Sequence, residues 1–291
     1  MAKELARELI NAGVHFGHGV SLWNPKMAPF IFAKRGKIHI IDVKQTLKGL
    51  LIAKKLLAEA VSSGKDVVFV GTKRQAQKAV EAAASKSGMH YVSQRWLGGT
   101  LTNFRTVRSR LQRLEELESM QKDGTVESES KKQSSRLKRE LKKIKSNLDG
   151  IRRMTRLPGV IVVVDAKKEY LALREAKKLG IATVGLIDTD SDPDTVDVAI
   201  PANDDSIRAI DLLLNEMADA VALGKTMISG RQEQVQRLKR VRSRRPILAR
   251  ASEEKPRHAP AKTESDKVAE TAPPDAGLQG SKTVPAEPEQ S

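Results

Sequence analysis

The chain has 291 residues, 39% of them hydrophobic and 30% charged, with 52 Lys/Arg against 36 Asp/Glu for a formal net charge of +16, and it has no cysteine. That excludes disulfides, thiolate zinc sites and thiol catalysis, and no apolar run approaches the roughly 18–20 residues that span a bilayer. The segment from Ala249 onward carries 6 Lys/Arg and 8 Asp/Glu, so residues 1–248 hold a net +18. A charge of that size opposes compaction unless a polyanion neutralises it, which makes nucleic acid the first partner to consider and an anionic membrane surface the competitor.

Met1 to Ile10, "MAKELARELI", is amphipathic with acidic residues and lacks the apolar core of a signal peptide. "KIHIID" (37–42) reads as a first strand, and "QTLKGLLIAKKLLAEAVSSG" as a helix that stops at Gly64. "DVVFVGT" (66–72) is a continuous apolar run, the pattern of a strand buried on both faces. A helix over "KRQAQKAVEAAASKSG" and a third strand, "HYVS" (90–93), follow. Later come "GVIVVVD" (159–165), a helix over 168–179, "ATVGLID" (182–188), "VAI" (198–200) and a helix from Asp205 to about Gly224. Strands alternating with helices predict an α/β fold, a doubly wound parallel sheet with helices on both faces, of flavodoxin-like arrangement.

Between Phe104 and Pro158 the alternation is interrupted. Val107, Leu111, Leu114 and Leu117 fall at helical spacing, "KDGT" (122–125) is a turn, and Leu137, Leu141, Ile144, Leu148 and Ile151 form a heptad seam. The expectation is an inserted antiparallel coiled-coil hairpin. Residues 105–153 hold 15 Lys/Arg and 8 Asp/Glu. A second basic run, "RQEQVQRLKRVRSRR" (231–245), has seven cations and one anion. The expected organisation is a discontinuous globular domain (1–104 and 158–226), the hairpin (105–157), a basic helix or extension (227–248) and a disordered tail (249–291) rich in Ala, Pro, Glu and Ser.

Chemistry is harder to find. "GVHFGHG" (13–19) has the wrong spacing for a dinucleotide loop and precedes the sheet. "VGTKRQA" (70–76) joins a strand to a helix where an anion would sit, but it lacks the second glycine and the Lys-Ser/Thr ending of a P-loop; Lys73 and Arg74 there suit any phosphate, including one in an RNA backbone. In "DTDSDPD" (188–194), Asp188, Asp190 and Asp192 match a calcium loop's first ligands, yet Pro193 stands where glycine is needed and Ala199 where glutamate is needed. His15 and His18, at H-x-x-H spacing, are the nearest approach to a metal pair, but no third ligand accompanies them, and packed or phosphate-contacting histidines are commoner. There is no G-x-S-x-G elbow. Trp23, in "LWNPKM" with Lys26, and Trp96, beside Arg95, could stack on unpaired bases or anchor their loops in the core. Three readings follow: an RNA-binding structural protein, a nucleotide-binding enzyme or regulator using Gly71 and Lys73, and a free-standing RNA chaperone.

The stretches "AGVHFGH" (12–18), "WNPKMAPFIFAKRGKIHIID" (23–42), "FVGTKRQA" (69–76), "RWLGGTLTNF" (95–104) and "DTDSDPDTVDVAIPANDDSIRAI" (188–210) closely resemble the family of bacterial small-subunit ribosomal protein two, in order and across roughly residues 5–225. The resemblance implies a cytoplasmic, non-enzymatic constituent of the small subunit that needs no cofactor. It implies binding to small-subunit ribosomal RNA and to neighbouring ribosomal proteins, including the large one that captures messenger RNA. Residues 251–291 go beyond the family's pattern. On this reading Gly98 and Gly99 turn the chain out of the sheet, and Arg105, Arg108 and Arg110 at the hairpin's start join Lys26, Lys73, Arg74, Arg95 and Trp96 as the RNA-binding residues.

Overall fold

Two sheets organise the chain. In the computed structural model, which describes residues 2–124 and 130–243, the first sheet is small and antiparallel. Helix α1 (Ala2–Asn11) leads into β1 (Phe16–Gly19), a 3-10 turn (Pro25–Phe30), β2 (Ile31–Arg35) and β3 (Ile38–Ile41), in the order β1-β3-β2. "KIHIID" is therefore a strand, but not the first strand of the parallel sheet. Its residues alternate in burial from Ile38 to Ile41, the signature of a sheet with one wetted face, whereas the central parallel strands Val67–Val70 and Val160–Val164 are buried throughout. The glycine-broken β1 and the cationic β2 carry no such apolar pattern and were not foreseen.

The second sheet has five parallel strands: β4 (Val67–Val70), β5 (His90–Val92), β6 (Val160–Val164), β7 (Ala182–Ile187) and β8 (Val198–Pro201), ordered β5-β4-β6-β7-β8. Counted within the sheet this is 2-1-3-4-5, one of the two common doubly wound orders. Its connecting helices are α2 (Val43–Ser62), α3 (Arg74–Ser87), α4 (Phe104–Lys122), α5 (Lys131–Leu148), α6 (Tyr170–Leu179) and α7 (Ile207–Ser243). Asp42 caps α2 by accepting the Lys44 N–H at 2.9 Å, satisfying one of the free donors of the first turn.

Alternation along each strand divides the core in two. Val67, Phe69, Val160, Val162 and Val184 pack under α2, α3 and α7 through Leu57, Val80 and Leu213. Val68, Val70, Ile161 and Val163 pack on the other side with Leu173 and Ala176 of α6 and with Val107, Leu111, Leu114, Ile144 and Leu148 of α4 and α5. The two hairpin helices thus cover part of the sheet. They run antiparallel, with Leu117 and Gln121 beside Leu137 and Leu141 at the outer end and Val107 beside Ile144 and Leu148 at the root.

The last helix does not stop near Gly224; it continues to Ser243, through the first part of the basic run. Residues 244–248 and the segment 249–291, expected to be disordered, lie outside the described residues. Gly224 has a different use: a Cβ there would stand 2.9 Å from the Ala58 carbonyl oxygen and 3.0 Å from Val61. It is a contact point between α2 and α7, where the backbones approach too closely for a side chain. Gly224→Ala separates the two roles. Helix propensity alone would stabilise the variant by up to about 1 kcal/mol, whereas the close approach predicts a loss of about 1–3 kcal/mol from overpacking, measured as a lower urea midpoint.

Candidate functional site

The loop that launches the hairpin is organised by one carboxylate. Glu175, on α6 and only 9% exposed, accepts the Gly99 N–H at 2.7 Å and the Trp96 indole N–H at 3.1 Å on one oxygen. Its other oxygen accepts the Leu101 N–H at 2.9 Å, the Thr102 N–H at 3.1 Å and the Thr102 hydroxyl at 3.3 Å. Burial alone pushes the carboxyl's pKa up, but the N–H donors of Leu101, Thr102, Gly99 and Trp96 outweigh it and hold the pKa below its ordinary value. Gly99 has φ +87, a backbone angle that glycine adopts without strain; Gly98 is not in that region. Trp96 is buried and its ring is not open to a base. It is an anchor of this loop, because its one polar atom has a protein partner and its rings fill the core on the hairpin side.

At the C-terminal ends of the parallel strands lies the crevice where doubly wound folds bind ligands. Here the chain's own N-terminal segment occupies it. The Asn203 N–H donates to the Val14 carbonyl at 3.0 Å, the Asn203 side-chain amide to the Gly13 carbonyl at 3.1 Å, and the Ser206 hydroxyl to the Ala12 carbonyl at 3.0 Å. The His18 N–H reaches Thr189 Oγ1 at 2.9 Å, and His18 Nδ1 lies 2.9 Å from Asp188. Lys73, after β4, pairs with Asp204 at 2.7 Å, with Asp205 at 2.6 Å and more loosely with Asp165 at 3.7 Å. The Thr72 N–H and hydroxyl both donate to Glu169. A phosphate at this turn would meet the carboxylates of Asp165, Glu169, Asp188, Asp204 and Asp205, and the amide and ammonium that would bind it are engaged by them. This geometry removes the basis for a nucleotide site at Gly71 and Lys73.

Burial among Asp165 and Asp188 raises Asp204 to about 7 in spite of Lys73, while the hydrogen bond and charge of Asp188 raise His18 to about 9. One ligand atom each from His18, Asp188 and Asp204 lies within 4.8 Å of the others, the closest approach to a metal-ligand set among the described residues. His15 is not part of it. His15 stands in the turn before β1 (Phe16–Gly19), outside the strand that carries His18, and its ring lies against Phe16 at 4.1 Å. The acidic turn is likewise dispersed: Asp188 takes His18, Asp190 takes Lys167 at 2.9 Å, and Asp192 and Asp194 take Lys26 at 2.8 and 2.7 Å. Carboxylates aimed at separate cations do not converge on one calcium ion. Lys26 and Lys73, expected to face RNA, are thus bound within the protein, because their acidic partners arrive from far along the chain.

The hairpin presents the opposite condition. Arg74, Arg95, Arg105, Arg108 and Arg110 are exposed and belong to no ion pair among the described residues. Arg108 donates to the Thr155 carbonyl at 3.3 Å, on one side of α4. Arg110 lines the other side, in a groove of about 650 Å³ where Arg136, Arg139 and Lys143 of α5 stand over Val107 and Ile144. Arg105, Arg108 and Arg110 therefore do not form one surface. The α5 cations were missed as individual residues; the helical phase that brings them to Arg110 is readable only once the two helices are aligned.

The sequence matches the family described as "Ribosomal protein S2" over residues 9–224. It is 57% identical to the "Small ribosomal subunit protein uS2" of Rhodopirellula baltica over 225 residues, 77% of this chain and 86% of that protein.

Two outcomes follow from this geometry. Glu175→Ala strands buried N–H donors and should destabilise the protein by roughly 2–4 kcal/mol, read from the guanidinium unfolding midpoint. For His18 the folded pKa of about 9 lies above the ordinary 6.5, so unfolding releases a proton. Its stabilisation is complete below about pH 6.5 and is lost as pH rises through about 9. His18→Gln should flatten the fall in Tm across that window; parallel Tm–pH curves for the parent and variant would exclude the linkage.

Proposed function

Because the chain belongs to the ribosomal protein S2 family, it is a structural constituent of the small ribosomal subunit and not an enzyme, and we propose that it holds ribosomal RNA through the unpaired cations of its hairpin. The observation that supports this most is the division of charge. Lys26 and Lys73 are neutralised by the protein's own aspartates, while Arg105 and Arg108 on one side of α4, and Arg110, Arg136, Arg139 and Lys143 on the other, are exposed to solvent. Phosphates that neutralise them release condensed counterions, a contribution to affinity that reads no base sequence. Specificity comes from the shape of a rigid body fitted to folded RNA.

We read the globular part as flavodoxin-like and residues 105–157 as a coiled-coil insertion whose root is built into the sheet's second core and whose outer turns extend the contact surface. Arg74 and Arg95 continue that surface at its base. Trp96 and Lys73 serve by shaping the loops that carry Arg95 and Arg74, and Lys26 by tying its own turn to Asp192 and Asp194. From the family we also infer that neighbouring small-subunit proteins dock here, including the large one that captures messenger RNA.

The experiment is sedimentation of a tagged copy from lysate at low and high salt. The parent should travel with the small subunit and be stripped as salt rises; migration as a free protein at both would overturn the reading. Arg105→Gln with Arg108→Gln, and separately Arg110→Gln with Arg136→Gln, Arg139→Gln and Lys143→Gln, test the two sides of the hairpin. Each variant on an RNA-facing side should lower the log–log salt slope by about 0.7–0.9 per lost phosphate contact. Deleting residues 251–291, which are acidic in balance, should leave incorporation intact.

A further inference from the structure

We propose that the outer face of α6 is a second ribosomal RNA contact, in which Arg174, lying over the Tyr170 ring, joins Lys177 and Lys178 on the phosphates of the same RNA that the hairpin helices hold. The inference rests on the RNA-binding reading above but concerns a helix face that the reading does not use.

Helix α6 has two opposite faces. Ala172, Leu173 and Ala176 pack in the sheet's second core, and Glu175 holds the loop before α4. Tyr170, Arg174, Lys177 and Lys178 are exposed, and their spacings of four, three and one place them, with Leu171, on one stripe of the helix. The only acids between Ala166 and Ile187 are Glu169 and Glu175. Both are buried, Glu169 on Thr72 and Glu175 on the hairpin loop, so the outer stripe carries cations and no carboxylate of its own helix. Acids of other elements that come near are already engaged. Asp194 and Asp197 line a cavity with Lys177, but Lys26 holds Asp194 at 2.7 Å, and Thr183 donates its N–H and hydroxyl to Asp197 at 2.8 and 2.9 Å. Lys167 takes Asp190 at 2.9 Å. Arg174, Lys177 and Lys178 belong to no ion pair among the described residues.

Cations in the last turn of a helix complement its dipole, which accounts for Lys177 and Lys178 but leaves Arg174 and Tyr170 unexplained. The Arg174 guanidinium carbon lies 5.7 Å from the centre of the Tyr170 ring, within cation–π range, and Tyr170 is 51% exposed. An arginine held over a ring gives up little freedom when its N–H fork meets a phosphate. Because Glu175 belongs to the same helix, the α6 cations and the root of the hairpin are fixed relative to each other, and one folded RNA meets both. An acidic segment of a neighbouring protein is the competing occupant. Protein–protein contacts deplete lysine at their core, whereas nucleic-acid contacts are strongly positive, and this stripe has more cations than apolar side chains.

The test uses small subunits freed of this protein by high salt, to which full-length protein is rebound. Arg174→Gln, Lys177→Gln and Lys178→Gln together should weaken rebinding and lower the log–log salt slope by about two to three. Arg174→Gln alone, away from the last turn, should lower it by about 0.7–0.9, even where the triple change also lowers the urea midpoint. Tyr170→Leu removes the ring and should weaken rebinding about two- to fivefold with the slope unchanged, since no charge is lost; Tyr170→Phe keeps the ring and should rebind like the parent. If the cations serve only the helix dipole, the variants keep the parent slope, and that outcome overturns the proposal whatever the urea midpoint does. A photoreactive phenylalanine analogue at position 171 identifies the neighbour: a crosslink to ribosomal RNA supports the proposal, and a crosslink to protein, or none, overturns it. Arg110→Gln with Arg136→Gln, Arg139→Gln and Lys143→Gln is run alongside. A slope lowered by that set and not by the α6 variants leaves the hairpin reading standing without this one, and a parent that fails to rebind overturns both.

Discussion

A single buried carboxylate holds the two parts of this protein in register. Glu175 sits on a helix of the sheet's second face, yet its donors come from the loop that begins the long helical excursion. An ionised carboxylate out of water is costly unless its lone pairs are filled. Here the indole, three backbone amides and a hydroxyl fill them, so one arrangement satisfies both the acid and the loop's own N–H groups. The direction in which α4 leaves the sheet is set by that arrangement, and with it the placement of the arginines along α4. Apolar packing then continues the job: Val107, Leu111, Ile144 and Leu148 join the cluster beneath the sheet, so the base of the excursion shares the core of the globular part.

The charge distribution follows from a second constraint, the closing of the crevice at the strand ends. Folding brings Asp188, Asp204 and Asp205 to the turn after β4, and Lys73 and His18 are drawn among them. A sheet topology suited to binding nucleotides is thereby filled with internal ion pairs. The rest of the large positive excess is spread over the two helices α4 and α5, over the basic run 231–245 and, on a smaller scale, along β2 and its turn. A fold shared with many enzymes is put to use through its margins.

The parallel strands were legible because a strand buried on both faces writes a continuous apolar run, as "VIVVV" does. The seam between α4 and α5 was legible because it repeats. Features that depend on distant partners were not. Lys73 meets Asp204 across 131 positions and Lys26 meets Asp192 across 166, so no local pattern tells a cation bound by its own protein from one left for RNA. Gly224 looked like a helix stop because glycine is a poor helix former, but the carbonyl of Ala58 that requires its lack of a side chain comes from another helix. The His15–His18 spacing makes no pair because the two residues lie in different local structures, His15 in the turn before β1 and His18 within the strand.

The bonds that tie residues 12–14 to Asn203 and Ser206 also impose an order of events. These partners are 189 to 194 positions apart, and contacts of such sequence separation form late because the intervening loop must first be closed. A chain emerging at about 5–20 residues per second exposes its N-terminal segment for on the order of ten to forty seconds before β8 exists to receive it. Throughout that time its residues 9–41 are cationic and free of acids. The hairpin, whose contacts are local, can assemble first, while the sheet's last strand closes the fold and covers the beginning of the chain.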